Sequence, residues 1–139
     1  MENKKEVNKE LYFNLYNAQR NVSRYFTKNT LKQKELTYPQ FLVLNVLWNS
    51  ELVRVATIVQ LLGLDTGTVS PLLKRMENKN LIRRSRSDID QREVFIHLTD
   101  KSKQIESELD SYIYDKSAIA SLDQKEIIEL NRLLLKIIE

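Results

Sequence analysis

The side chains with most capacity for chemistry in this 139-residue chain are basic, and they cluster. Positions 54 to 92 hold Arg54, Lys74, Arg75, Lys79, Arg83, Arg84, Arg86 and Arg92 against Asp65, Glu77, Asp88 and Asp90. Eight basic against four acidic side chains give this segment +4, leaving −1 for the rest of a chain whose formal total is +3. The hydroxyls of Thr66, Thr68 and Ser70 stand just ahead of Lys74 and Arg75. Such groups donate hydrogen bonds to phosphate oxygens and base edges, and a helix head adds exposed amides that favour anions. A localised basic centre points to contact with a polyanion.

Other chemistries lack their parts. There is no cysteine, which removes disulfides, thiolate nucleophiles and cysteine-based redox or zinc sites. His97 is the one histidine and builds neither a triad nor a metal site alone; it reads as a strand residue. Neither GxGxxG nor GxxxxGK[ST] occurs. No enzyme activity, metal or cofactor is expected. The N-terminal MENKKEVNKE has no apolar core, and no run is long and apolar enough to span a bilayer. A cytoplasmic protein with no membrane partner is the expectation. With 42% hydrophobic and 29% charged residues, two glycines and two prolines, the chain suits a mainly helical single domain.

The elements that must position the basic centre can be read locally. Gly63 falls where a left-handed cap ends the short helix 56–62, whose Ile58, Val59, Leu61 and Leu62 are read as inward. A second helix starts at Asp65 or Thr66, with Val69, Leu72, Leu73 and Met76 as its inward stripe. Two short helices about such a turn make a helix-turn-helix. Pro71 removes one backbone bond near the second helix's head. Two strands follow, 81–86 and 93–98, the second alternating Val94, Ile96 and Leu98 against Glu93, Phe95 and His97. Their link, Ser87–Arg92, is a charged hairpin tip. An arginine there can enter a narrow minor groove, where the potential is most negative. Asp90 is placed to orient an arginine.

Upstream, Thr37-Tyr-Pro-Gln40 is a capping box with proline where its missing amide does no harm. The buried helix that follows carries Phe41, Leu44, Leu47 and Trp48, with Trp48 read as a core anchor. Val53-Arg54-Val55 suggests a very short strand. Residues 6–32 read as one long helix with Val7, Leu11, Leu15, Ala18, Val22 and Tyr25 in line, widened by Tyr12, Phe13 and Tyr16. Thr99 caps a helix running to about Ala120, and Ser121-Leu-Asp-Gln124 opens a last helix with Ile127, Leu130, Leu133, Leu134, Ile137 and Ile138. An amphipathic tail after a complete small domain needs a surface to cover, and the first and last helices would form a two-fold dimer interface.

This order of long helix, helix-turn-helix, wing and two terminal helices resembles the MarR family of bacterial transcriptional regulators over essentially the whole chain. The motifs carrying the resemblance are LTYPQFLVLNVLW (36–48), LDTGTVSPLLKRME (64–77), DQR (90–92) and VFIHLT (94–99). With LYNAQR (15–20) they resemble its organic-hydroperoxide-sensor (OhrR/MgrA-like) branch. The resemblance implies a mainly α fold with an α+β wing: a winged helix-turn-helix lobe at 36–99, with dimerisation helices at 1–35 and 100–139. It implies a homodimer on double-stranded DNA, the recognition helix in the major groove of a pseudo-palindromic operator and a wing arginine in the minor groove. The matching positions are Thr66, Thr68, Val69, Ser70, Lys74 and Arg75, then Asp90 and Arg92, with Arg83, Arg84 and Arg86 adding phosphate grip.

One departure concerns regulation. That branch senses oxidants through a cysteine early in the first helix, and Tyr12 occupies its slot here, with Tyr16 in the position of its hydrogen-bonding tyrosine. The expected regulator has no cysteine redox switch. Tyr12, Tyr16 and Tyr25 form a candidate pocket for a small-molecule effector, or the remnant of a sensor. The alternative is a helical interaction protein that pairs with a related regulator and does not itself bind DNA.

Overall fold

Hydroxyl and carboxylate caps start most of the helices, and left-handed residues stop several of them. The computed structural model describes residues 3–50, 52–115 and 119–138, with 29, 30 and 110–115 as backbone only. Helix α1 (Lys4–Phe26) begins at Asn3, whose side chain accepts from the Lys5 amide. The expected long helix does not continue regularly to 32. It widens into a π-type turn at Thr27–Leu31 and tightens into a 3-10 turn at Lys32–Lys34. Glu35 then takes a left-handed conformation (φ 55°), and the Leu36 amide reaches back to the Leu31 carbonyl at 2.9 Å.

Helix α2 (Tyr38–Trp48) has the expected reciprocal capping box: Thr37 Oγ1 accepts from the Gln40 amide and Gln40 Oε1 from the Thr37 amide. Strand β1 is only Val53–Arg54. It leads directly into α3 (Val55–Leu62), which Gly63 ends at φ 63°. Helix α4 (Thr66–Asn78) follows, its axis turned 117° from that of α3, within the range of helix-turn-helix pairs. Of the residues read as inward on α3, Leu61 is instead 62% exposed, because an eight-residue helix has room for one buried stripe and Ile58 occupies it.

Strands β2 (Ile82–Arg86) and β3 (Val94–Leu98) form an antiparallel hairpin, and β1 adds to the far edge of β3, giving the order β1-β3-β2. The register pairs Ile82 with Leu98, Arg84 with Ile96 and Arg86 with Val94 on one face. Arg83 with His97, and Ser85 with Phe95, share the other. Helix α5 (Asp100–Asp115) starts at Thr99, whose Oγ1 accepts from the Ser102 amide. Its expected extension does not reach Ala120: Ile119 and Ala120 lie in a turn, and 116–118 are outside the described residues. Helix α6 (Gln124–Ile138) is capped by Asp123 and not by Ser121: Asp123 Oδ1 accepts from the Glu126 amide at 2.8 Å, and Glu126 Oε1 from the Asp123 amide.

The core gathers Leu44 and Leu47 of α2, Val69 and Met76 of α4, Ile96 of β3 and Leu109 of α5. Trp48 is half-buried beside it, edge-on to Phe41, with its indole N–H donating to the Ser102 carbonyl at 3.3 Å. In contrast, α6 has no buried residue among those described, and Tyr12 and Phe13 of α1 are 75% and 71% exposed. Among the described residues no single helix is long and apolar enough to cross a membrane.

Candidate nucleic-acid interface

The head of α4 is ordered by one carboxylate. Asp65 Oδ1 accepts from the Thr68 amide at 2.7 Å. The Thr68 hydroxyl and then its amide hold the Asp65 carboxyl below its ordinary pKa. Past this cap Thr66, Thr68, Ser70, Lys74 and Arg75 are exposed, and neither Lys74 nor Arg75 has an ion pair among the described residues. Pro71 lies inside the helix without ending it. Lacking an N–H, it leaves the Gly67 carbonyl without its usual intrahelical donor. Val69 departs from the expectation taken from the resemblance. It is fully buried and supports the helix from behind, so its side chain presents nothing to a ligand outside.

The wing tip is shaped by short-range hydrogen bonds. Ser87 Oγ accepts from the amides of Ile89 and Asp90, the Ser87 amide donates to Glu93 O, and the Glu93 amide to Asp90 O. Asp90, expected to orient an arginine, makes no contact with a guanidinium among the described residues; its Oδ1 accepts from the Arg92 backbone amide at 3.0 Å. The Arg92 guanidinium has no hydrogen bond or ion pair among the described residues. Arg86 Nη1 bridges the hairpin to Gln91 O at 2.9 Å. Ile89 at the tip is 99% exposed, an apolar side chain held wholly in solvent.

The other basic residues separate by role. Arg84 forms a two-pronged pair with Glu77 of α4, Nε to Oε2 at 2.8 Å and Nη2 to Oε1 at 3.4 Å, tying the wing to the helix. This hydrogen bond holds the Glu77 carboxyl below its ordinary pKa and raises the Arg84 guanidinium. Arg54 lies over the Phe95 ring, 5.8 Å from its centroid, and pairs with Glu93. Arg83 is on the opposite face of the sheet from Arg84 and Arg86, at the rim of a cavity with Trp48, His97 and Lys103.

The joint below α4 was not read from sequence. Asn80 is left-handed (φ 58°), and the Leu81 and Asn80 amides close on Met76 O and Glu77 O. Thr99 Oγ1 donates to Asn80 O at 2.7 Å, Lys101 Nζ to Lys79 O at 2.9 Å, and Lys79 Nζ to Glu35 O at 2.8 Å. Lys34 and Glu108 form a further ion pair onto α5. Asn after a long helix was an available sign of the left-handed residue; the lysine partners carry no local sign. Of the tyrosines expected to line a pocket, Tyr12 and Tyr16 are 75% and 60% exposed and Tyr25 is 37% exposed in this single chain.

The comparisons agree with this architecture. Residues 25–109 match the family described as transcriptional regulator SarA/Rot. The HTH-type transcriptional regulator MgrA of Staphylococcus aureus is 54% identical over 138 residues, 99% of this chain and 94% of MgrA. Reduced AbfR bound to DNA superimposes with a TM-score of 0.75 at 31% identity, covering 98% of this chain and 96% of that one. AbfR, from Staphylococcus epidermidis, has also been solved overoxidized and disulfide-formed. AbsC of Streptomyces coelicolor, a MarR family regulator, shares the fold with a TM-score of 0.81 at 22% identity, over 99% and 94% of the two chains. The resemblance read from the motifs therefore holds, and with the cap, wing and helix-turn-helix in place, the chain belongs to the SarA/Rot family of transcriptional regulators, built on the MarR-type winged-helix fold.

Proposed function

We propose that this protein is a homodimeric regulator that binds a pseudo-palindromic operator in double-stranded DNA. The α4 head enters the major groove, presenting Thr66, Thr68, Ser70, Lys74 and Arg75. The wing lays Arg92 in the adjacent minor groove, with Asp90 fixing its backbone and Arg86 stiffening the hairpin. The observation that carries this reading is the unpaired Arg92 guanidinium on a hydrogen-bonded tip, beside a helix whose exposed side is hydroxyl and cation. A cation held ready without an internal partner suits the deep negative potential of a narrow groove. That AbfR has been solved on DNA supports the same docking.

Dimerisation would join the exposed apolar faces of α1 and α6, so that 1–35 and 100–139 pair two copies of the 36–99 reading lobe. Exposed Leu130, Leu133 and Ile137 form part of that face. Two reading helices then sit roughly 34 Å apart, one turn of duplex. No cysteine is present to switch this regulator, so control by thiol oxidation is absent from its repertoire.

Mapping of bound fragments across the genome, followed by anisotropy titration on the recovered duplex, tests the reading. The wild type should sediment as a dimer and bind an inverted repeat. Leu130→Glu with Ile137→Glu should sediment as a monomer and lose operator binding. A dimer that retains no duplex at moderate salt would instead favour a pairing partner that does not read DNA.

A further inference from the structure

Two residues of α4 are costly to a helix, and both face outward. Gly67 and Pro71 are exposed and one turn apart, with exposed Lys74 next in the same row. At about 100° per residue this row runs down the side opposite the buried Val69, Leu72, Leu73 and Met76. Thr66 and Ser70 flank it on one side, Thr68 and Arg75 on the other. Nothing among the described residues calls for the glycine. Its φ is not positive, unlike that of Gly63, and an added Cβ would touch only Asp65 Oδ1, at 3.4 Å. A glycine inside a helix lowers its stability relative to alanine, and a proline lowers it more. The proline also has no N–H for the Gly67 carbonyl four residues back, and its ring crowds that oxygen away from the helix. No side chain among the described residues donates to this carbonyl instead. The centre of the reading face is thus bare backbone carrying an acceptor short of its donor.

We propose that this bare stretch lies directly against a base edge in the major groove, with the Gly67 carbonyl accepting from the exocyclic amino group of an adenine or a cytosine. The inference rests on the DNA-reading role proposed above and names a contact within it. A carbonyl needs a donor, and phosphate oxygens offer none. The Asp65 carboxylate, 3.4 Å from the open position, would also repel a phosphate there. The major-groove edge presents two kinds of amino donor, adenine N6 and cytosine N4, so the acceptor selects for those bases. A missing side chain lets the backbone come within hydrogen-bond reach, which a methyl at the same position would prevent. The flanking hydroxyls of Thr66, Thr68 and Ser70 can each donate or accept, so Gly67 supplies a fixed polarity that they lack.

The test uses the full-length protein on the duplex recovered by genome-wide mapping. Gly67→Ala should raise the melting temperature by about 2–4 °C and yet weaken operator binding by about 25-fold, about fivefold for each half-site. Pro71→Ala returns an N–H to the Gly67 carbonyl and should shift both readouts in the same directions. Each adenine is then replaced in turn by purine, and each cytosine by pyrimidin-2-one, which lack the amino group. One replacement per half-site should cost the wild type about fivefold and cost Pro71→Ala nothing, and its position tells adenine from cytosine. The proposal is overturned if either variant binds like wild type, if every deamino duplex binds like the parent, or if the penalty persists in full in Pro71→Ala. A Gly67→Ala protein that melts below wild type would show that the fold itself requires the glycine, and overturns it too. A wild type that binds no duplex overturns the DNA reading and this contact together, whereas unaffected variants on a bound operator overturn the contact alone.

Discussion

Arg84 and Arg92 lie on one wing and carry the same charge, yet replacing each with alanine should fail in different assays. The Arg92 guanidinium has no partner among the described residues, so on the proposed docking Arg92→Ala removes a contact made only in the complex. A lost specific DNA contact is worth about 1–3 kcal/mol, and a dimer loses two. Operator affinity should fall from roughly thirtyfold to more than about ten thousandfold, at 1.4 kcal/mol per tenfold. Two fewer cations near phosphates should also flatten the dependence of log K on log salt by about 2. Arg84 is committed to Glu77, with the two side chains 32% and 38% exposed. Water screens such a pair, which contributes about 0.2–1 kcal/mol to stability. Arg84→Ala should therefore lower the melting temperature by up to about 4 °C and change operator affinity by less than about threefold. Anisotropy titrations over a salt series, paired with thermal melts, separate the two. If Arg84→Ala lost as much affinity and salt dependence as Arg92→Ala at an unchanged melting temperature, the assignment of Arg84 to α4 would be refuted.

Other consequences are open to measurement. The Asp65 and Glu77 carboxyls are held low by hydrogen bonds from Thr68 and Arg84, so both stabilise the fold above their unfolded pKa values. That stability is lost as pH falls through the lowered folded values; Asp65→Asn should shrink the loss in acid melts, and an unchanged acid profile would count against the cap. Thr37→Ala removes one half of the α2 capping box and should cost about 1 kcal/mol in urea denaturation, against no change if the box is ornamental. With no cysteine and with Met76 fully buried, operator affinity should not respond to hydrogen peroxide or an organic hydroperoxide. A loss of binding restored by dithiothreitol would show a thiol-dependent contaminant or partner.

Local chemistry made much of this fold legible in advance. The Thr37–Gln40 box, the Gly63 stop and the Asp65 start are each decided within four residues, and all three occur where expected. The end of α1 was not legible, because apolar spacing alone does not announce a wider turn. Phe26 and Leu31 are both buried, five residues apart, and a regular α-helix would turn them well away from each other. The π-type turn between them brings both into the core. At α6 two capping boxes overlap, Ser121 with Gln124 and Asp123 with Glu126; the acidic pair prevails, as the positive end of a helix favours. The basic residues of β2 were grouped by charge, although strand alternation alone places Arg83 across the sheet from its neighbours. The partners that meet at the cavity, Trp48, Arg83, His97 and Lys103, span four segments, and no local rule links them.

The clasp at the foot of α4 sets how the reading helix can move. Thr99, Lys101 and Lys79 fasten the turn at Asn80 to α5 and to the Glu35 corner, so α4 and α5 have no free swivel between them. Sixteen-residue α5 is a lever of about 24 Å. A tilt of about 5° at its far end carries the attached head about 2 Å sideways over that length. In a paired molecule the two displacements add, enough to take both heads out of step with one turn of duplex. A stiff joint here converts a small repacking of the outer helices into a change of gauge, and loosening it, as Thr99→Ala with Lys101→Ala would, should blunt transmission without touching the duplex.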